Sequence, residues 1–210
     1  MFNFAVKKLI SMKVVIVKYN AGNIRSVCNA LSRLGVEAEI TDDFDAIRSA
    51  DKVIFPGVGE ASTTMEYLRR TGLDKLICSL KQPVLGICLG MQLMCSHSEE
   101  GDVDCLGIFN VPVKRFVLPE NNVDNLKIPQ MGWNNITDVK SPLFDCSLEG
   151  KYVYFVHSYY VPLCEYTAST TEHTLAYSSA LHKDNFYATQ FHPEKSGEVG
   201  EMILRHFLAL

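Results

Sequence analysis

The chain has 210 residues, 47% of them hydrophobic, and its 24 acidic against 20 basic side chains give a net charge of −4. This length and apolar content fit one α/β domain with a sizeable core, and the dispersed Lys and Arg, without a basic block or stripe, argue against a nucleic-acid surface. No run approaches the roughly 18 consecutive apolar residues of a membrane span, and seven cysteines with no C-x-x-C pair argue against a disulfide framework or zinc ribbon and predict reduced thiols in a cytoplasmic protein.

The opening MFNFAVKKLIS carries lysines after its first apolar residues and lacks a long apolar stretch, so it fails as a signal peptide. Met12 is followed at once by the strand-like KVVIV, which makes residues 1–11 an N-terminal extension and 12–210 a single domain. Strand-length apolar runs come at Val14 to Val17, Val53 to Phe55 and Val84 to Ile87. Between the first two, Ile24, Val27, Cys28, Leu31 and Leu34 follow helical spacing, with Asn23 as a cap and Gly35 as a stop. A second helix is predicted from Glu60 to Arg70, with Ala61, Met65 and Leu68 on its apolar side and a stop at Gly72. Strand and helix alternating in this way give an α/β fold with a mostly parallel central sheet flanked by helices.

Beyond about residue 100 the segments VPVKRFV, YVYFVHSYYV and FYATQF are aromatic and β-branched, and they are expected to add antiparallel strands to the same sheet. The chain closes with a helix from about Ser196, which can cap it. Glu198 and Glu201 lie near its positive end, and Met202, Ile203 and Phe207 point inward.

Cys88 falls between two glycines, in Gly86-Ile87-Cys88-Leu89-Gly90, at the corner between a buried strand and a helix start. The pattern has the form of a nucleophile elbow, where the turn is too tight for neighbouring side chains. Free N–H groups at the helix start would favour a thiolate and could hold an oxyanion. A buried cysteine, with glycines needed for strand–helix packing, accounts for the same five residues equally well.

A nucleophile needs a base held by a third group. Of six histidines, His97, His173, His182 and His206 carry no partner signal and read as ordinary surface or helix residues. His192 ends a strand-like stretch, and Pro193 is expected to keep the chain extended so that Glu194, two residues on, shares its side and orients it. Cys95 with His97 lacks further ligands at metal-binding spacing, so neither a metal nor another cofactor is expected.

The elbow followed by Met91-Gln92, together with His192-Pro193-Glu194, resembles the class I, triad-type glutamine amidotransferases. PGVGEAS (56–62), GICLGMQL (86–93), PQMGWN (129–134), YFVHSY (154–159) and QFHPEKS (190–196) extend the resemblance over essentially all of the chain from Met12 onward. It implies a flavodoxin-like fold and glutamine hydrolysis with Cys88 as nucleophile, His192 as acid and base, and Glu194 as its orienter. It further implies backbone N–H groups of Val58 and Leu89 as oxyanion donors, with Gly57 and Gly59 letting the Val58 peptide turn. Glutamine's amino-acid end is placed against Gly59, Gln92, His157, Ser158 and Tyr159.

The resemblance also implies a partner that takes up the ammonia, a (β/α)8-barrel cyclase subunit forming a heterodimer with this chain. Asn23, Trp133, Tyr154 and Lys195 would line that interface. One stretch departs from the family pattern D-Y-G-x-G-N: here Lys18-Tyr19-Asn20-Ala21-Gly22-Asn23 stands in its place, which bears on docking rather than catalysis. Competing expectations are a stand-alone thiol hydrolase on the same scaffold and a flavodoxin-like electron carrier. The carrier needs a Ser/Thr-rich phosphate loop after the first strand, and KYNAGN is not one.

Overall fold

A computed structural model describes residues 12–19, 24–123 and 125–210. The 1–11 extension and the expected cap Asn23 lie outside the described residues. Five strands run parallel: β1 (Val14–Val17), β2 (Ala38–Thr41), β3 (Lys52–Gly57), β4 (Val84–Cys88) and β13 (Phe186–Thr189). With β11 (Thr167–Glu172) and β12 (Ala176–Lys183) they form a seven-stranded sheet in the order β11-β12-β13-β4-β3-β1-β2, and only the β11–β12 and β12–β13 pairs are antiparallel.

Both faces of the sheet are covered, and the strands alternate between two apolar layers. Val14 and Ile16 of β1 and Ile54 of β3 join one core with Val27 and Leu31 of α1 (Ile24–Arg33) and Ile203, Leu204 and Phe207 of α6 (Gly197–Ala209). Val15, Val17, Val53 and Phe55 join the other. There they meet α2 (Phe44–Arg48), α3 (Ala61–Thr71), α4 (Leu73–Ser79) and α5 (Leu89–Leu93) through Ile47, Met65, Leu68, Leu76 and Leu89. Strands β1, β3 and β4 therefore read as apolar runs, as buried parallel strands do.

The expected helices are present with their stops, Gly35 and Gly72 both at φ +78. At the start of α3 the Glu60 carboxylate accepts from the N–H groups of Ser62 and Thr63.

The second half departs from expectation. Only β11 and β12 add antiparallel strands to the main sheet, while the FYATQF stretch supplies the parallel strand β13 beside β4. VPVKRFV contributes β7 (Pro112–Arg115) to a separate four-stranded sheet with β5 (His97–Ser98), β6 (Val103–Asp104) and β10 (Tyr159–Tyr160). YVYFVH forms β9 (Tyr152–His157), which pairs only with β8 (Gln130–Asn135) as an antiparallel ribbon. Strand propensity sets the local conformation, but the choice of neighbour is made by long-range packing.

Ser196 occupies the N-cap position of α6 without a capping side-chain bond. Among the described residues no helix is long and apolar enough to cross a membrane.

Candidate active site

Strand β4 is buried along its whole length between β3 and β13, and it delivers Cys88 at its C-terminal end. The chain turns there so sharply that Cys88 takes φ 54, ψ −109, a conformation costing about 1–3 kcal/mol for a residue with a side chain. A Cβ on Gly86 would come within 2.9 Å of the Met94 sulfur and 3.0 Å of the Gly90 carbonyl group, and one on Gly90 would run into the Phe55 carbonyl oxygen of β3. Packing explains the glycines. It does not explain a left-handed cysteine, since a filler residue needs no such strain, so the elbow is the reading the geometry supports.

His192 and Glu194 come to this corner from the end of β13. His192 is extended at φ −99, ψ 94, as a residue before proline prefers, but Pro193–Lys195 is a short 3-10 turn rather than the extended segment expected. The turn brings the side chains together regardless, with His192 Nδ1 2.8 Å from Glu194 Oε1 and both buried. The other ring nitrogen, Nε2, is buried with no hydrogen-bond partner among the described residues. Burial disfavours the imidazolium, yet the adjoining Cys88 and the Glu194 carboxylate outweigh it and raise His192 from its ordinary value to about 10.

In front of Cys88 lies a cavity of about 370 Å³. Of the predicted site residues, Val58, Gly59, Leu89, Gln92, His157, Ser158, Tyr159 and His192 line it with Cys88. Gly57 does not; it pairs with Cys88 at the end of β3, packed so closely that a Cβ would meet Leu89 Cβ at 2.9 Å. The carbonyl just before it, of Pro56, accepts the buried Tyr19 hydroxyl.

Gln92 presents its amide to Gln190 Oε1 at 2.9 Å and to the Tyr159 carbonyl at 3.2 Å. His157 reaches the cavity wall, but its imidazole is engaged elsewhere. Nδ1 donates to the Tyr159 carbonyl at 2.7 Å and Nε2 stands 3.3 Å from the Tyr177 hydroxyl. Burial lowers its pKa to about 3, so it is neutral and braces the 157–159 segment from behind.

Of the other lining residues, Glu100 carried no sequence signal, and Pro129 and Val156 were quoted within motifs but given no role. Glu100 is half-buried, accepts from the Ala61 N–H at 3.0 Å, and burial raises it above the usual carboxylate range. Gln190 was quoted within a motif but given no role, yet its amide nitrogen lies 3.8 Å from the Cys88 sulfur. Fold closure brings these groups in from distant segments, and spacing along the chain could not reveal that.

The β8–β9 ribbon forms one side of the site and shows a second, outward face. Trp133 is 56% exposed, beside Met131 at 66% and Tyr152 at 58%. Trp133 packs edge-on against Tyr154 with ring centres 6.0 Å apart, and Lys195 Nζ sits 5.9 Å from the Tyr154 ring. Of the expected interface residues, Trp133, Tyr154 and Lys195 thus form one cluster, and Asn23 lies outside the described residues. No group of three or more metal-ligating side chains occurs among the described residues.

A family model described as Glutamine amidotransferase class-I matches residues 15–210. A Bacteroides thetaiotaomicron protein named imidazole glycerol phosphate synthase subunit HisH is 66% identical over 199 residues, 95% of this chain and 100% of the relative. A namesake from Idiomarina loihiensis is 46% identical over 200 residues, 95% of this chain and 98% of the relative. Among solved structures, PurLQS from Thermotoga maritima superposes with a TM-score of 0.67 at 14% identity over 94% of this chain and 98% of that one. A glutamine amidotransferase from the same organism gives 0.61 at 15% identity over 94% and 83% of the two chains. At such identities the structural likeness speaks for the fold.

Proposed function

The chain belongs to the class I glutamine amidotransferase family, and we propose that it is the glutaminase subunit of an imidazole glycerol phosphate synthase, formed by the single domain 12–210. In this reading the Cys88 thiolate attacks the side-chain amide carbon of glutamine, and His192, held by Glu194, protonates the departing ammonia. Water, deprotonated by His192, then hydrolyses the thioester to glutamate. The oxyanion of each tetrahedral intermediate is held by the backbone N–H groups of Leu89 and Val58, each such donor contributing ~10²–10³ in rate. Gly59, at φ +122 with open space where a Cβ would stand, leaves the Val58 peptide room to turn.

Glutamine's α-carboxylate and α-ammonium lie against the 157–159 segment and Gln92, and Glu100 supplies the negative charge for the ammonium. His157 serves this site through its backbone, its ring being occupied. The apolar cluster of Trp133, Met131 and Tyr154 beside the cavity is the docking face for the synthase partner, a (β/α)8-barrel cyclase. That partner takes the ammonia to a ribotide precursor and yields imidazole glycerol phosphate and an aminoimidazole carboxamide ribotide for histidine synthesis in the cytoplasm. An exposed apolar patch next to a catalytic pocket suits a heterodimer, since ammonia released into bulk water is protonated and lost.

The observation that carries this reading is the strained Cys88 opening on a glutamine-sized cavity, with the Glu194-bound His192 beside it. The test is glutamate release from glutamine by the chain alone and with the cyclase and its ribotide ligand, with Cys88→Ala as control. Strong stimulation that vanishes in Cys88→Ala is the expected result. Rapid hydrolysis that ignores the partner would point instead to a stand-alone thiol hydrolase.

A further inference from the structure

Ser196 stands where a helix cap belongs, yet its hydroxyl is used elsewhere. The residue is 2% exposed, and its Oγ donates to the His192 carbonyl at 2.7 Å while accepting the Tyr154 N–H at 3.0 Å. The Tyr154 carbonyl in turn accepts the His192 N–H at 2.9 Å. Both backbone polar groups of Tyr154 are therefore bonded to the 192–196 turn, one directly and one through the hydroxyl. A serine can do this because its hydroxyl donates once and still accepts. From the opposite side α6 closes on the turn, where a Cβ on Gly200 would run into the Pro193 carbonyl oxygen.

We propose that Ser196 is a positioning residue whose hydroxyl clamps the His192–Glu194 turn to β9, so that the setting of the β8–β9 ribbon governs the aim of His192 at Cys88. Tyr154 is the joint. Its backbone holds the turn, and its ring lies in the outward cluster with Trp133 and Lys195. A load on that cluster reaches His192 through Tyr154, and the same strand stands against Cys88 at the Val156 carbonyl, 3.9 Å from the sulfur. Without the hydroxyl, the Tyr154 N–H and the His192 carbonyl lose their shared partner while the direct His192–Tyr154 bond remains, so the fold survives and the aim loosens.

The inference rests on the reading of His192 as the charge partner of the Cys88 thiolate, and its test needs neither glutamine nor a partner. The rate of Cys88 alkylation by iodoacetamide is followed against pH in the full chain, scored on the Cys88 peptide by mass spectrometry, for wild type, His192→Asn, Ser196→Ala and Ser196→Thr. The expected midpoint of Ser196→Ala lies about one pH unit above wild type, a roughly tenfold slower reaction below both midpoints. Ser196→Thr restores the wild-type profile, and His192→Asn shifts at least as far as Ser196→Ala. A wild-type profile in Ser196→Ala alongside a shifted His192→Asn overturns the clamp, as does a Ser196→Thr profile as displaced as that of Ser196→Ala. An unshifted His192→Asn overturns instead the reading of the site on which the clamp depends. Should thermal unfolding show that Ser196→Ala does not fold, Ser196→Cys, which keeps the volume and weakens both bonds, is judged by the same criterion.

Discussion

The two sides of the cavity differ in how completely they are enclosed. On one side Cys88 is placed by packing: β4 is buried over all its residues, bonded to a parallel neighbour on each edge, and close-packed at Gly86 and Gly90. On the other, the 157–159 segment and His192 adjoin a two-stranded ribbon packed on one face only, with Val153 and Phe155 in the core, and are joined to it by the His157 bond to the Tyr159 carbonyl and the His192 N–H bond to the Tyr154 carbonyl. Val153, Phe155 and His157 of that ribbon face inward, while Met131, Trp133 and Tyr152 face out. Close-packed interiors have one arrangement and resist displacement, whereas an element packed on one face and open on the other can be reset by whatever covers it. Cys88 thus stands in the more enclosed wall of the cavity, and His192 and the 157–159 segment adjoin the more adjustable one.

The largest effect is expected where packing decides. Gly90→Ala forces a Cβ into the Phe55 carbonyl and should cost about 3 kcal/mol or more, read by urea unfolding, with glutaminase activity lost. A fully active, stable Gly90→Ala would mean that the elbow is as adjustable as the ribbon. Glu194→Gln should leave folding intact and lower kcat by ~10²–10⁴ with little change in the KM for glutamine, because the group holding His192 loses its charge. Steady-state glutamate release separates the two parameters.

The ribbon should show itself through acid. His157, lowered to about 3 when folded, takes up a proton near its ordinary value when unfolded. Between about pH 6.5 and 3 the unfolded chain therefore binds the extra proton, and stability present above that window is lost as pH falls, by about 1.4 kcal/mol per unit. Urea midpoints of wild type and His157→Gln across this range should converge toward acid; parallel curves would remove the idea. Least change is expected from Trp133→Ala in the isolated chain, within about 0.5 kcal/mol, because the side chain is largely exposed. The same variant should lose about 2 kcal/mol or more of partner binding, measured by titration calorimetry. A large stability loss would return Trp133 to the core.

Of the five parallel strands, β1, β3 and β4 were legible from VVIV, VIF and VLGI, because strands buried on both faces leave unbroken apolar runs; the half-exposed edge strand β2, AEIT, left none, and β13 was expected to run antiparallel. The corner at Cys88 and the closeness of Glu194 to His192 were legible because they rest on residues a few positions apart, although His-Pro-Glu makes the pair through a 3-10 turn and not through the extended segment expected. Ser196 was misread for the complementary reason. A serine before a helix has an ordinary local use, and nothing nearby in sequence shows that Tyr154 competes for its hydroxyl. Glu100, Gln190 and the buried face of His157 were likewise invisible as a set, their partners being Ala61, Cys88 and Tyr177.

What the sequence determined by itself was whatever short-range sterics and periodicity can enforce: the alternation of strand and helix, the glycines around Cys88, and the proximity of Glu194 to His192. Tertiary structure alone decided which strands became neighbours. It set a stretch of β-formers apart as the β8–β9 ribbon, turned Trp133 outward, and joined His192 to Tyr154 through Ser196. Those choices depend on groups far apart in the chain competing for the same hydrogen bonds and the same apolar surface, and that competition is settled only once the chain has closed on itself.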